Sequence, residues 1–172
     1  MKTLHDKDIR EPLFEFLEEV YGKVRILEEK TMGKSRADVV MVTPDLLCGI
    51  EIKSDADTYA RLKRQVKDYD LYYDCNYAVV GISHAMHIKE HLPAWWGIIT
   101  VELVEEKADF YIMRKALPNP KTDWKRKIDI LWRPELAHIQ ELNGLPGYKE
   151  KSKLFVQEKV LDKVPREVLQ RQ

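Results

Sequence analysis

The stretch RADVVMVTPDLLCGIEIK, residues 36–53, decides the architecture. Two runs rich in β-branched and apolar residues, 36–42 and 47–53, flank Thr43-Pro44-Asp45-Leu46, with Pro44 where a type I or II turn favours it. The spacing predicts a β-hairpin. With Pro44 and Asp45 as the turn, Thr43 opposes Leu46 and the numbers of every cross-strand pair sum to 89. That register sets Asp38 directly opposite Glu51, on one face of the sheet. The period of two brings Lys53 to the same face, opposite Arg36. The reverse face carries Val39, Met41, Cys48, Ile50 and Ile52, an ordinary core set.

A hairpin that is apolar on one face and gathers two carboxylates, a lysine and an arginine on the other has built a small polar site. Carboxylates this close repel unless a cation or a shared proton intervenes, and their oxygens suit Mg²⁺ or Mn²⁺. A neighbouring lysine can orient or activate a water and offset charge on a phosphate. These are the parts for phosphodiester hydrolysis. The same four residues would equally form two cross-strand salt bridges on a solvated face, and the hairpin alone does not choose between the two.

Working outward, DKDIREPLFEFLEEV (6–20) places Ile9, Leu13, Phe16, Leu17 and Val20 at helical spacing. Residues 24–27 read as a short strand and 32–35 as a turn. Downstream, the capping residues of SDADT lead into YARLKRQVKDYDLYYD, where Leu62, Val66, Tyr69 and Tyr73 share a helical face. The apolar run YAVVGI (77–82) follows, as a strand buried on both sides would. Strand, helix and strand make a βαβ unit, so 49–53 and 77–82 are expected to be parallel neighbours. After one or two helical turns at 84–91, WGIITVELV and DFYIMRKA predict a second hairpin.

From residue 117 the texture changes to PNPKTDWKRK, a helix broken near Pro134, the loop NGLPG and a charged helix over 149–164. The expectation is an α/β fold, a central mixed sheet with flanking helices. Residues 1–116 form its core and 117–172 a helical C-terminal extension packed on the same domain.

Asp38, a gap of twelve residues and Glu51-Ile52-Lys53 resemble the PD-(D/E)XK signature of the restriction-endonuclease-like nucleases. Gln65-Val66-Lys67-Asp68-Tyr69 looks like the QxxxY motif of their RecB-like branch. GIEIKSDADTYARLKRQVKDYD and LPAWWGIITVE are further similar to a family of bacterial and phage proteins assigned to that superfamily, over most of residues 5–140. The resemblance implies a restriction-endonuclease-like core and a metal-dependent nuclease acting on nucleic acid, DNA in the first instance. It implies Asp38 and Glu51 as ligands of Mg²⁺ or Mn²⁺, Lys53 as water-orienting base or charge stabiliser, and Gln65 and Tyr69 beside the site. Ala37 stands in place of the signature proline. The further acid many members use is ambiguous among Glu11, Glu15, Glu28 and Glu29. The competing expectation is a catalytically inactive nucleic-acid- or protein-binding module on the same fold.

Gln65 and Tyr69 share a helix face with Arg61 one turn earlier, so with Arg36 this stripe is a candidate substrate-binding surface. The plainer alternative makes Tyr69 a core aromatic. Lys plus Arg equal Asp plus Glu at 29 each, so any nucleic-acid surface must be local. The first residues lack a signal peptide's apolar run, and no stretch approaches the roughly 20 apolar residues of a membrane span. Cys48 and Cys75 make a poor disulfide framework, so a soluble, cytoplasmic protein is expected.

Three further signals compete. His87-Ile88-Lys89-Glu90-His91 matches H-x-x-E-H, an inverted zinc-protease motif with His84 one turn before, but two turns ahead of Pro93 make a poor scaffold for it. Trp95-Trp96 could stack bases, yet tryptophans leading into a strand are expected in the core. Lys121, Lys125, Arg126 and Lys127 around Trp124 are either a phosphate contact or a solvated helix start.

Overall fold

The computed structural model describes residues 3–172 and shows an α/β fold, a six-stranded mixed sheet flanked by helices. Helix α1 (Asp6–Tyr21) buries Ile9, Leu13 and Leu17 of the predicted stripe, with Phe16 partly buried and Val20 exposed near its end, and stops at Gly22, whose φ of 77° is open to glycine at little cost. The sheet then runs in sequence order: β1 (Arg25–Met32), β2 (Ser35–Val42), β3 (Leu47–Lys53), β4 (Cys75–Gly81), β5 (Gly97–Val104) and β6 (Lys107–Arg114). Strands β3, β4 and β5 are parallel; the other neighbours are antiparallel.

Helix α2 (Leu62–Tyr72) makes the crossover from β3 to β4, as expected, and it begins three residues later than the sequence pattern suggests because residues 54–60 form a turn-rich loop. Tyr69, Tyr72 and Tyr73 bury against the sheet with Trp96, while α1 covers the opposite face over Val39, Met41, Cys48, Ile50 and Ile52. The close approach of α2 needs Gly49. A β-carbon there would lie 2.4 Å from the Tyr73 ring and 2.5 Å from that of Tyr69.

The predicted register holds for Val39↔Ile50, Val40↔Gly49, Met41↔Cys48 and Val42↔Leu47, and then stops. Asp38 is therefore not paired with Glu51 nor Arg36 with Lys53, which corrects the simple alternation. The cause lies on the other side of β2. Strand β1 is longer than the predicted 24–27, and Glu29 sits in it at a φ of +52°, with the Glu29–Asp38 rung missing from the ladder. Beyond that rung both strands change phase: Ala37 joins Val40 in one apolar cluster, and Met32 joins Leu27. The irregularity frees Asp38 from the ladder to reach β3 with its side chain.

The helical turns before β5 are α3 (Ile82–Ala85) and a 3₁₀ turn, Ile88–His91. Past β6 come α4 (Trp124–Lys127), a 3₁₀ turn (Ile128–Ile130), α5 (Arg133–Leu142), α6 (Lys153–Lys163) and α7 (Arg166–Leu169). Pro134 opens α5 rather than breaking a helix, since its missing N–H costs nothing in a first turn. Ser152 accepts from the Phe155 amide and starts α6 four residues later than expected. These helices hold their own apolar cluster around Leu136, Ile139, Val156 and Val160. Among the described residues no helix is long and apolar enough to cross a membrane.

Candidate functional site

At the C-terminal end of β3, Glu51 and Lys53 point to the α2 side and are almost wholly buried, at 2% and 4% exposure. Burial of charge at this level requires partners. The Lys53 ammonium forms an ion pair with Glu51 Oε1 at 2.9 Å and donates to Gln65 Oε1 at 3.0 Å, while Gln65 Nε2 donates to Glu51 Oε1 at 2.6 Å. One turn on, the Tyr69 hydroxyl lies 2.8 Å from Glu51 Oε2 and 2.9 Å from the Ile50 carbonyl, and it accepts from the Asp38 amide at 3.1 Å. The i, i+4 spacing of Gln65 and Tyr69 places both on the stripe of α2 that faces β3. Tyr69 is at once a core aromatic and a ligand of the polar cluster.

Asp38 closes the cluster from β2. Its carboxylate accepts from the Ile52 amide at 2.8 Å, so it sits beside Glu51 even though the two are not rung partners. Burial, then the charge of Glu51, pushes the Asp38 carboxyl up to about 8, against the Ile52 hydrogen bond and the Arg10 guanidinium, which favour its ionised form. Burial, then Glu51 and Asp38, likewise hold the Tyr69 phenol well above its ordinary value, as a neutral donor. At 22% side-chain exposure Asp38 is the open flank of an otherwise closed cluster.

Arg10 is the residue that the sequence pattern does not announce. From α1 its guanidinium donates to the Asp38 carbonyl at 3.1 Å and stands 3.6 Å from the Asp38 carboxylate, 2.6 Å from Glu29, 3.5 Å from Glu28 and 2.7 Å from Asp6. Burial opposes its charge, but Asp6, Glu29 and Asp38 outweigh that and keep it protonated. The only sequence signal is the Asp6–Arg10 spacing next to buried Ile9.

The other expected residues are not all gathered here. Arg36 is two-thirds exposed and pairs with Glu29 at 2.5 Å, which corrects its place opposite Lys53: the phase change at Glu29 turns it away. Arg61 is exposed just ahead of α2, with Lys63, Arg64 and Lys67 exposed after it. Among the described residues none of these four has a carboxylate within salt-bridge distance. Of the candidate further acids, Glu11 and Glu15 are exposed on α1, and Glu28 and Glu29 are held by Arg10. Among the described residues no three His, Cys, Asp or Glu side chains are grouped to hold a metal, so the site offers a cation two carboxylates, Asp38 and Glu51.

The histidine motif is dismantled by the fold. His84 belongs to α3 and His91 to the 3₁₀ turn, and the His84 ring nitrogens face the Tyr59 hydroxyl at 2.8 Å and the Ser54 carbonyl at 3.0 Å. His84 thus anchors the loop that follows Lys53. Trp96 is fully buried, as expected for a core residue. Lys127 is also buried, paired with Asp74 at 2.5 Å over the Trp124 ring, so the basic run loses its last member as a phosphate contact.

The chain belongs to the bacteriophage P4 protein cII family, whose model matches residues 1–172. No curated protein and no solved structure matches it.

Proposed function

We propose that this protein is a metal-dependent nuclease of the restriction-endonuclease-like type, hydrolysing phosphodiester bonds of DNA at the Asp38–Glu51–Lys53 cluster. The observation that carries the reading is the strained carboxylate pair: Asp38 is pushed up to about 8 by burial and by Glu51, on the one flank of the cluster that is open. A cation relieves that repulsion. The donors are hard oxygens, and Mg²⁺ or Mn²⁺ commonly takes only one or two carboxylates from a protein, completing its shell with water and substrate phosphate. Asp38 and Glu51 would hold the ion, which when bound polarises a phosphoryl oxygen and eases deprotonation of water.

The chain's own residues supply the rest. Lys53, fixed by Glu51 and Gln65, holds a positive charge in a desolvated place where it offsets charge developing on the phosphate. Gln65 fixes the Glu51 carboxylate through Nε2 and the Lys53 ammonium through Oε1, so neither can turn away. Tyr69 fixes Glu51 from the other oxygen and tethers β2 through the Asp38 amide. Arg61, Lys63, Arg64 and Lys67, exposed and without carboxylate partners, give the DNA backbone a local basic face on a chain of zero net charge.

A second reading has its own support. Both Glu51 oxygens are already occupied by Lys53, Gln65 and Tyr69, which would equally suit a structural polar cluster in a binding module that performs no cleavage. The two part on one experiment. Single-stranded, duplex and branched DNA are incubated with the protein in Mg²⁺, Mn²⁺ or EDTA and resolved on a gel. Cleavage that needs the divalent ion and disappears in Asp38→Asn supports the nuclease; binding without cleavage in every condition leaves the module.

A further inference from the structure

A cavity of about 470 Å³ lies between the sheet and the C-terminal helices, at the turn end of β2 and β3, the opposite end from Asp38 and Lys53. Its volume falls within the range of small-molecule sites. Leu27, Val42 and Leu47 of the sheet form one wall, and Ile130, Leu131 and Ile139 of the extension form the other. The apolar part of the lining is aliphatic apart from Trp124, which suits a flexible alkyl chain better than a planar ring, and polar side chains, His138 and Gln170 among them, complete it.

The charges around this cavity are lopsided. Lys127 is answered by Asp74, and Glu135, the one lining acid, is engaged as acceptor for the Trp132 amide that starts α5. Arg25 and Lys30 remain. The phase change at Glu29 turns Lys30 to the same side of β1 as Leu27, and among the described residues neither cation has a carboxylate within salt-bridge distance. Lys30 instead lies over the ring of Trp132, 5.1 Å from its centre, on a side chain that is 69% exposed. A largely aliphatic chamber in which the two cations without a carboxylate partner, Arg25 and Lys30, outnumber the one acid, Glu135, is complementary to an amphiphile with an anionic head.

We propose that this cavity binds a single-chain amphiphilic anion, an alkyl carboxylate or alkyl phosphate, with the chain between β1–β3 and α5 and the head against Arg25 or Lys30. Because both walls must be in place to enclose the chain, the ligand would clamp the helical extension to the core. The site is independent of the nuclease reading.

The test uses the full chain and three probes of equal chain length: dodecanoate, dodecyl phosphate and dodecylammonium, each below its micelle concentration. Tryptophan fluorescence and scanning calorimetry report binding. Both anions are expected to bind saturably and, at about a hundred times Kd, to raise Tm by roughly 5–11 °C, while dodecylammonium does not. In Arg25→Glu/Lys30→Glu the order is expected to invert. Leu131→Trp, which fills the chamber, is expected to lose binding of both anions; should that variant not fold, the charge-reversal pair still decides. Equal binding of anionic and cationic probes, binding unchanged by charge reversal, or no saturable binding overturns the proposal. Phosphatidylglycerol vesicles tell the two sources of the head group apart: sedimentation of the protein with vesicles marks a lipid in its bilayer, and dodecanoate binding without sedimentation marks a free amphiphile.

Discussion

Two buried carboxylates meet at α2, Asp70 on the helix itself and Glu51 on β3 against Gln65 and Tyr69, and the contrast between them separates a structural polar group from a candidate reactive one. Asp70 is 2% exposed, and its Oδ1 is met by the Trp96 indole at 2.8 Å, the Trp95 indole at 3.1 Å and the Asn76 amide at 3.3 Å. These are neutral donors, and they pin α2 to β4 and to the entrance of β5. Glu51 is as deeply buried, but its partners include an ammonium, and a second carboxylate stands beside it on an open flank. Burial is equal; what differs is a second carboxyl beside Glu51, next to solvent, whose ionisation burial and Glu51 oppose. A group of the first kind stabilises one arrangement, and a group of the second kind is poised for a cation.

The contrast breaks most visibly in activity. Asp38→Asn keeps the shape and the acceptor for the Ile52 amide but removes the charge that a divalent ion would meet. On the proposed nuclease reading, losing an effect worth several kcal/mol is expected to slow cleavage by about a thousandfold or more, with circular dichroism unchanged. Retention of wild-type cleavage in this variant would remove Asp38 from the site. Asp70→Ala acts the other way. It leaves three donors unpaired, costs about 3 kcal/mol and lowers Tm by roughly 6–12 °C in a scanning calorimeter. At a temperature where the variant is still folded, its response to Mg²⁺ should match wild type.

The pH dependence follows from Asp38 with its sign. The carboxyl titrates near 3.9 in the unfolded chain and at about 8 in the folded one, so between these values the native state binds more protons. Stability therefore falls as pH rises through that window, and the full cost of ionised Asp38 is present above about pH 8. Wild type should lose Tm between pH 5 and pH 9 relative to Asp38→Asn, whose profile lacks this component. Mg²⁺ or Mn²⁺ should restore it at high pH in wild type alone. Parallel profiles for the two proteins would mean that Asp38 carries no unrelieved charge.

Much of this geometry is legible in local sequence, because it rests on periodicity. The turn at Pro44 sets the register from Val39 to Val42, and the 3.6-residue period puts Gln65 and Tyr69 over β3. Legibility fails at Asp38, where the positive φ of Glu29, a residue of another strand, changes the phase of the pair. The sequence pattern also carries Arg36 into the site, and the same phase change takes it out. Arg10 was hidden for a related reason: in DKDIREP it reads as helix-surface charge, and its meaning depends on where β1 and β2 pass α1 in space. Local sequence leaves Lys127 either a phosphate contact or a solvated helix start, and it is neither, because Asp74, 53 residues away in the chain, pairs with it in a buried place.

The smallest expected effect tests whether the two carboxylates are separate at all. Trp95→Phe removes the more exposed of the two indole donors to Asp70 and keeps an aromatic ring, leaving Trp96 and Asn76 on the carboxylate. A net hydrogen bond to a charged group is worth about 1.5 kcal/mol, so Tm should fall by roughly 3–6 °C. Cleavage and DNA affinity should stay within about twofold, since Trp95 has no hydrogen bond to Asp38, Glu51, Lys53 or Gln65, and phenylalanine keeps its apolar packing against the α2 cluster while losing the bond to Asp70. The sharpening comes from measuring both quantities on one sample, by calorimetry and by titration of labelled DNA in EDTA. A drop in affinity well beyond the loss of stability would give the half-buried Trp95 ring a place on the DNA surface, with Asp70 as the group that holds it there.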